Sequence, residues 1–140
     1  PELVRAFEEA VRHGISVIVE ELVPGRTASV AIINKFRNKE LYSLPAIESR
    51  AEENICPAKF TPKEKEELER LAKLIHKEFN LDHYSKSNFI VHPQKGIYII
   101  SIENLPPINT NSHIHHMLQS VGASTNDFVN HIIELALNKK

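Results

Sequence analysis

Residues 96–112, GIYIISIENLPPINTNS, constrain what the rest of this chain can fold into. Ile97, Tyr98, Ile99, Ile100 and Ile102 are β-branched or aromatic and follow a Gln94-Lys95-Gly96 turn, so the stretch begins as a strand. Side chains alternate across a strand, which puts Tyr98, Ile100 and Ile102 on one face and Ile97, Ile99, Ser101 and Glu103 on the other. The second face therefore turns from apolar to polar at Ser101. Pro106-Pro107 ends the strand, and Asn109-Thr110-Asn111-Ser112 supplies helix-capping side chains ahead of His113. A strand whose end turns polar before a helix N-terminus is a common framework for an anion or metal site. On the pattern alone, a strand simply leaving the core is the plainer explanation.

The remainder supplies the elements such a strand needs around it. Leu3, Phe7, Ala10 and Val11 recur at helical spacing from Pro1, which suits a first turn, to Gly14, which suits a C-terminal cap. Residues 17–23 (VIVEELV) read as a strand with Glu20 and Glu21 on opposite faces. A Pro24-Gly25 turn leads to a second strand over 28–34, and the polar segment 35–39 to a third over 40–47. Three strands with short turns suggest an antiparallel meander. Residues 48–59 are polar and make the best internal boundary, dividing the chain into 1–48 and 49–140. Thr61-Pro62-Lys63-Glu64 is a helix start with a capping box, and Leu68, Leu71, Ala72, Ile75 and Phe79 form its apolar stripe. Residues 84–92 (YSKSNFIVH) are a strand with Lys86 and Asn88 on one face and Ser85, Ser87 and Phe89 on the other, and residues 96–104 are its hairpin partner. Helices follow over about 112–120 and 125–138, the last with Phe128, Ile132, Leu135 and Ala136 as its buried stripe. The fold class is α+β, with antiparallel sheets covered by helices.

Composition narrows the function classes. A chain of 140 residues is about one domain with room for a real core. Seventeen Lys+Arg against eighteen Asp+Glu leave a net charge of −1, which gives no bulk attraction to nucleic acid or acidic membranes. One cysteine, Cys56, excludes an internal disulfide framework and agrees with a reducing compartment such as the cytoplasm. No apolar run reaches the length of a membrane span, and no signal peptide precedes the first helix.

The chemistry converges on the hairpin. It brings a cation and an amide, Lys86 and Asn88, close to Ser101 and Glu103, a set that could hold a phosphate and a magnesium ion. Ser112 at the helix start could offer its hydroxyl and nearby N–H groups to an anion. Three other features compete less well. His113, His115 and His116 are dense, but have no cysteine or carboxylate nearby in sequence to complete a zinc site. Cys56 has no spaced second cysteine. Glu20 and Glu21 point to opposite faces and cannot flank one bond as a glycosidase pair must.

The ordered series VIVEELVPGR, ASVAII, LPAIE, ICPAKFTPKEKEEL, YSKSNFIV, GIYIISIENLPP and NTNS resembles the carboxy-terminal part of the D-alanine–D-alanine ligases, which are ATP-grasp enzymes, across nearly the whole chain. The resemblance implies an ATP-grasp-like fold, in which 1–48 is the remainder of the lid subdomain with its hinge strand and 49–140 is the carboxy-terminal lobe. It implies ATP and magnesium as cofactors. Adenine would sit against the hinge at Glu20, Glu21, Leu22 and Val23, with Thr27 near the ribose. Asn88, Ser101 and Glu103 would stand at the metal positions, Lys86 at a catalytic cation and Ser112 near the second D-alanine. Such enzymes phosphorylate one D-alanine carboxylate, and the amine of a second attacks the acyl phosphate, making a peptidoglycan precursor in the cytoplasm. Expected partners are a small-molecule substrate such as D-alanine and a second copy in a homodimer, with neither nucleic acid nor membrane.

This chain departs from the family pattern at the chemistry. The ribose-binding Glu is Thr27, the Arg-x-Asp of the first metal strand is Lys86-Ser87-Asn88, and the Glu-x-Asn of the second is Ser101-Ile102-Glu103. The Pro-Gly that follows is Pro106-Pro107, and only residues 48–55 fill the interval where the family has a long loop closing over the phosphates. One carboxylate in place of two weakens a magnesium site. Lysine in place of arginine loses the two-pronged grip on an oxyanion. The glycine-rich lid loop, its ATP-binding lysine and the amino-terminal domain would precede Pro1, so this stretch is expected not to be a complete ligase by itself. Three expectations stand: a catalytically impaired ligase-like protein, an active divergent ligase that uses Glu103 for magnesium, and a non-enzymatic binding or oligomerisation module.

Overall fold

Strand Arg26–Asn34 (β1) and strand Tyr84–His92 (β5) pair antiparallel from Arg26↔Val91 to Ile33↔Tyr84, and this long ladder is the centre of the molecule. The structure is a computed structural model that describes residues 2–14, 16–50 and 53–138. Leu41–Ser43 (β2) adds to one side of β1 and Gly96–Glu103 (β6) to the far side of β5, giving the order β2-β1-β5-β6. A small second sheet pairs Glu48–Ser49 (β3) with Asn54–Ile55 (β4).

Both faces of the main sheet are covered, as its sequence requires. Ala28, Val30 and Ile32 of β1 and Phe89 and Val91 of β5 pack on Leu68, Ala72 and Ile75 of helix α2, Pro62–Glu78. On the other face Ala31, Ile33 and Tyr84 pack on Ile114, Met117 and Leu118 of α3, His113–Ser120, and on Phe128 of α4, Thr125–Leu137. Each of the Val, Leu, Ile, Met and Phe side chains among them contributes roughly 1.5–3 kcal/mol on leaving water, so these two layers dominate the stability. The capping box of α2 is complete: Thr61 Oγ1 accepts from the Glu64 N–H at 3.3 Å, and Glu64 Oε2 accepts from the Thr61 N–H at 2.7 Å. The β5–β6 turn is closed by Gly96 at φ 89 and by His92 Nδ1, which accepts the N–H groups of Gln94 and Lys95, each at 3.0 Å.

Several expectations are corrected. Residues 17–23 form no strand, because no other described strand lies beside them and a strand exists only by pairing. Ile18, Val19 and Leu22 are largely exposed, and the expected three-strand meander reduces to the β1–β2 hairpin. The strand expected over 40–47 is interrupted after Ser43. The Leu44 N–H still reaches the Ala31 carbonyl at 2.9 Å, but Pro45 has no N–H to give the ladder, and the chain rejoins β1 at Ile47, which exchanges both backbone hydrogen bonds with Ser29. Helix α1, Glu2–His13, forms as expected, but its apolar stripe is exposed; Pro1 lies outside the described residues. In α4, Phe128 is buried, Ile132 packs at the core edge, and Ala136 is exposed rather than part of the stripe.

Strict alternation also fails in β6, and there the difference matters for the site. Asn88 pairs with Ser101 while Phe89 pairs with Ile99, so Ile100 is the extra residue of a β-bulge. Ile97 and Ile102, expected on opposite faces, both pack against the α2-side cluster. Ser101 and Glu103 accordingly lie on the face opposite Ile97, not beneath it.

Candidate functional site

The α3-side face of β1, β5 and β6 carries a connected polar cluster beside the apolar core. Ser29 on β1 is opposite Asn88 on β5, which is opposite Ser101 on β6, and Lys86 is opposite Glu103. Ser29 Oγ donates to Asn88 Oδ1 at 2.7 Å, and Asn88 Nδ2 donates to Ser101 Oγ and to Glu103 Oε1, each at 2.8 Å. Lys86 Nζ stands 2.8 Å from the same Glu103 Oε1, with its side chain 11% exposed against 37% for Glu103. A carboxylate only accepts, so the amide nitrogen of Asn88 must face Glu103 and its oxygen must face Ser29. The three strands are thus sewn together by side chains as well as by backbone.

Burial raises the Glu103 carboxyl, but hydrogen bonds from Lys86 and Asn88 and the nearby charges of Lys86 and His113 outweigh it, leaving the group below its ordinary value. Glu103 is therefore ionised at neutral pH. His113, at the first turn of α3, closes one side: its Nε2 is 3.2 Å from Ser49 Oγ, and its buried Nδ1 has no partner among the described residues. Burial and then the Lys86 charge push its imidazole down, with Glu103 pulling the other way. Ser112 is the buried N-cap of α3, and its Oγ accepts from the His115 N–H at 3.2 Å. The hydroxyl is engaged in capping; the first-turn N–H groups are those of an ordinary helix start.

Lys86, Asn88, Ser101 and Glu103 are thus brought together, with Ser112 and His113 at the margin. The hinge residues are not part of the cluster: Glu20, Glu21 and Leu22 are exposed, Val23 is half-buried, and none is bonded to it among the described residues. Thr27 is exposed, its hydroxyl donating to the Ser49 carbonyl. Ser29, Ser49 and His113 belong beside the cluster and were not assigned to it from sequence. Ser29 leaves one signal, as the lone polar side chain in the apolar run AS-VAII. His115 turns away to Thr125 Oγ1 at 2.9 Å, and no group of three His, Cys, Asp or Glu side chains is poised for a metal among the described residues. Cys56 is half-buried, and burial pushes its thiol up, which makes it a poor nucleophile.

Magnesium needs near-octahedral oxygen coordination and takes at least one free carboxylate. Here the single carboxylate already accepts from an ammonium and an amide, the Asn88 oxygen is turned to Ser29, and a lysine occupies the approach. The donor set does not fit a two-metal site. A hollow of about 290 Å³ on the α2 side, lined by Val30, Pro45, Pro57, Ala58, Lys65 and Glu69 among others, shares no residue with the cluster.

Comparison with known proteins bears on the family and the fold. Residues 1–134 match the family described as D-ala D-ala ligase C-terminus. The D-alanine–D-alanine ligase of Halalkalibacterium halodurans is 28% identical over 99% of this chain and 50% of its own length. That of Maridesulfovibrio salexigens is 27% identical over 99% and 49%. The chain spans about half the length of the curated relatives it matches. Among solved structures, the D-alanine–D-alanine ligase of Bacillus anthracis complexed with ATP superposes with a TM-score of 0.82 at 18% identity, over 97% of this chain and 45% of that one. The Coxiella burnetii ligase gives a TM-score of 0.84 at 17% identity, over 99% and 39%. A D-Ala:D-Ser ligase from Enterococcus faecalis gives 0.79 at 21%, over 96% and 43%. The fold is that of the ATP-grasp ligases.

Proposed function

The chain belongs to the D-ala D-ala ligase C-terminus family, and on that premise we propose that it is the carboxy-terminal lobe of a D-alanine–D-alanine ligase-like ATP-grasp protein whose ligation step is impaired. The whole protein would bind ATP through the segment 20–23 and Thr27 and present the phosphates to the strand face that holds Lys86. The reaction it descends from joins a carboxylate to an amine, D-alanine to D-alanine or a close analogue, for peptidoglycan precursors in the cytoplasm. The relatives' names support this substrate class, and the D-Ala:D-Ser ligase among the similar structures keeps the second amino acid open.

One observation carries the impairment. Among the described residues the one carboxylate in the cluster, Glu103, is engaged by Lys86 and Asn88. Transition-state charge on a transferring phosphoryl group is stabilised by cations aimed at it, and a lysine already neutralised by a carboxylate supplies little net charge. Lys86 and Ser112 would position an oxyanion and the incoming amino acid rather than activate them. Magnesium, which the family implies, would find at most one weak contact at Glu103.

The test is calorimetric titration of the full-length protein with ATP, followed by an assay of ADP release with and without D-alanine. The expected result is ATP binding without D-alanine-dependent ADP release. Robust D-alanine-dependent release that Glu103→Gln abolishes would overturn the impairment in favour of an active divergent ligase. Absence of any ATP binding would favour a binding module that keeps only the scaffold.

A further inference from the structure

A lysine at 9% residue exposure is rare unless paired, and the geometry around Lys86 shows what the pairing replaces. Its ammonium is 2.8 Å from Glu103 Oε1, on the strand face where the ATP-grasp reading calls for a metal. Asn88, which could offer a hard cation its amide oxygen, offers its nitrogen to Glu103 and Ser101 instead. That orientation is held by Ser29, whose hydroxyl donates to the oxygen at 2.7 Å. Every side-chain bond around Glu103 thus brings a positive or hydrogen-bearing end to the carboxylate. A divalent ion arriving at Glu103 would face Lys86 at close range, and displacing the ammonium would strand a charge at a buried position.

We infer that the Lys86 ammonium is the resident cation of this strand face, in the place of a divalent metal ion, so that nucleotide binding by the full-length protein does not depend on magnesium. The inference rests on the ATP-grasp reading for the location, but on the Lys86–Asn88–Glu103–Ser29 network for its content. Formal charge supports it: Lys86 and Glu103 sum to zero, whereas a magnesium site needs net negative charge to compete with water. Replacing Lys86 by glutamine leaves Glu103 uncompensated and the face net negative. The native residue therefore excludes the metal, and its removal should admit one.

The experiment is a Mn²⁺ titration of the full-length protein, followed by the electron paramagnetic resonance signal of the free ion, on native, Glu103→Gln, Lys86→Gln and doubly substituted proteins. Native and Glu103→Gln proteins should take up Mn²⁺ alike. Lys86→Gln should bind it at least about tenfold more tightly than native, and the added Glu103→Gln should remove that gain. Uptake by the native protein that Glu103→Gln abolishes would overturn the inference, as would a folded Lys86→Gln protein that gains nothing. Should Lys86→Gln not fold by circular dichroism, the native against Glu103→Gln comparison decides alone. ATP affinity in EDTA and in excess magnesium should agree within about twofold, and a tightening of about tenfold or more by magnesium would refute the inference. Failure of ATP to bind at all would strike the proposed function, while the Mn²⁺ titration still judges the lysine.

Discussion

Replacing Glu48 by glutamine tests the strongest electrostatic feature of the fold. Glu48 is 3% exposed at the start of β3 and accepts from Arg26 on β1 through both oxygens, Nε to Oε1 at 2.9 Å and Nη2 to Oε2. Arg50 adds a contact from Nε to Oε1 at 3.2 Å. The Arg26 guanidinium also lies 4.2 Å over the Phe60 ring and donates to the Lys59 carbonyl at 3.1 Å, so it is anchored on three sides. The Arg26 hydrogen bond is the main cause that brings the Glu48 carboxyl down to about 2 from 4.5, against the opposing effect of burial. A group depressed in the folded state stabilises fully above its unfolded value and loses that stability as pH falls towards the folded one. The shift corresponds to about 3 kcal/mol at pH 7, of which about two-fifths survives at pH 3. Water around Arg26 and Arg50, whose side chains are 40% and 52% exposed, makes this an upper bound. Urea denaturation of the full-length protein should therefore show Glu48→Gln about 1.5–3 kcal/mol less stable at pH 7 and much closer to native at pH 3. Urea is the right denaturant, since guanidinium salt would screen the pair. A loss below about 0.5 kcal/mol at pH 7, or one equal at both pH values, would refute the ionic account.

Three further outcomes follow from other parts of the fold, each read by the same urea titration. A Cβ at Gly25 would stand 2.5 Å from the Val91 carbonyl oxygen and 2.6 Å from Ile90 Cγ2, so Gly25→Ala should cost about 1–3 kcal/mol by pushing β1 off β5; no loss would mean that the strand start is free to shift. Thr61→Ala removes the α2 cap and should cost about 1 kcal/mol, with Thr61→Ser nearly neutral. His76 is buried, with Nε2 2.7 Å from Asn34 Oδ1 and Nδ1 2.7 Å from Ser85 Oγ, and burial pushes its imidazole below the ordinary value. Its folded value is the lower one, so its contribution is whole above the unfolded value, about 6.5, and falls as pH drops through it. His76→Gln should accordingly flatten the stability profile between about pH 7 and 5, and an unchanged slope would assign the dependence elsewhere.

What could be read from the sequence was what is decided by neighbours in sequence. Thr61, Pro62 and Glu64 lie within one turn, and their cap forms as their order implies. That Lys86 and Asn88 lie near Ser101 and Glu103 was also legible, because one short turn makes the hairpin, but their direct pairing was not, since the turn's register alone would set Ile100 and Ile102 opposite Asn88 and Lys86. Partners far apart in the chain were not. Glu48 lies within a polar stretch that reads as a boundary, yet it is buried because Arg26, 22 residues earlier, reaches it. Ser29 completes the cluster from 59 residues away, and nothing local to Asn88 announces it. Residues 17–23 have full strand propensity and no strand, since propensity supplies willing side chains while pairing supplies the strand.

The bulge at Ile100 explains how β6 can serve the core and the polar cluster at once. By strict alternation, Ile97 and Ile99 would share a face with Ser101 and Glu103, and that face would have to pack against α2. The strand would then turn Glu103 towards the apolar cluster of Leu68, Ala72 and Ile75 and away from Lys86. One extra residue moves the tail by one place. Ile102 returns to the α2 side, opposite Ser87, and Ser101 and Glu103 arrive opposite Asn88 and Lys86. An uninterrupted alternation could satisfy the apolar half or the polar half of this strand, but not both. The bulge is thus what allows Lys86 to find its carboxylate while the hairpin keeps its hydrophobic support.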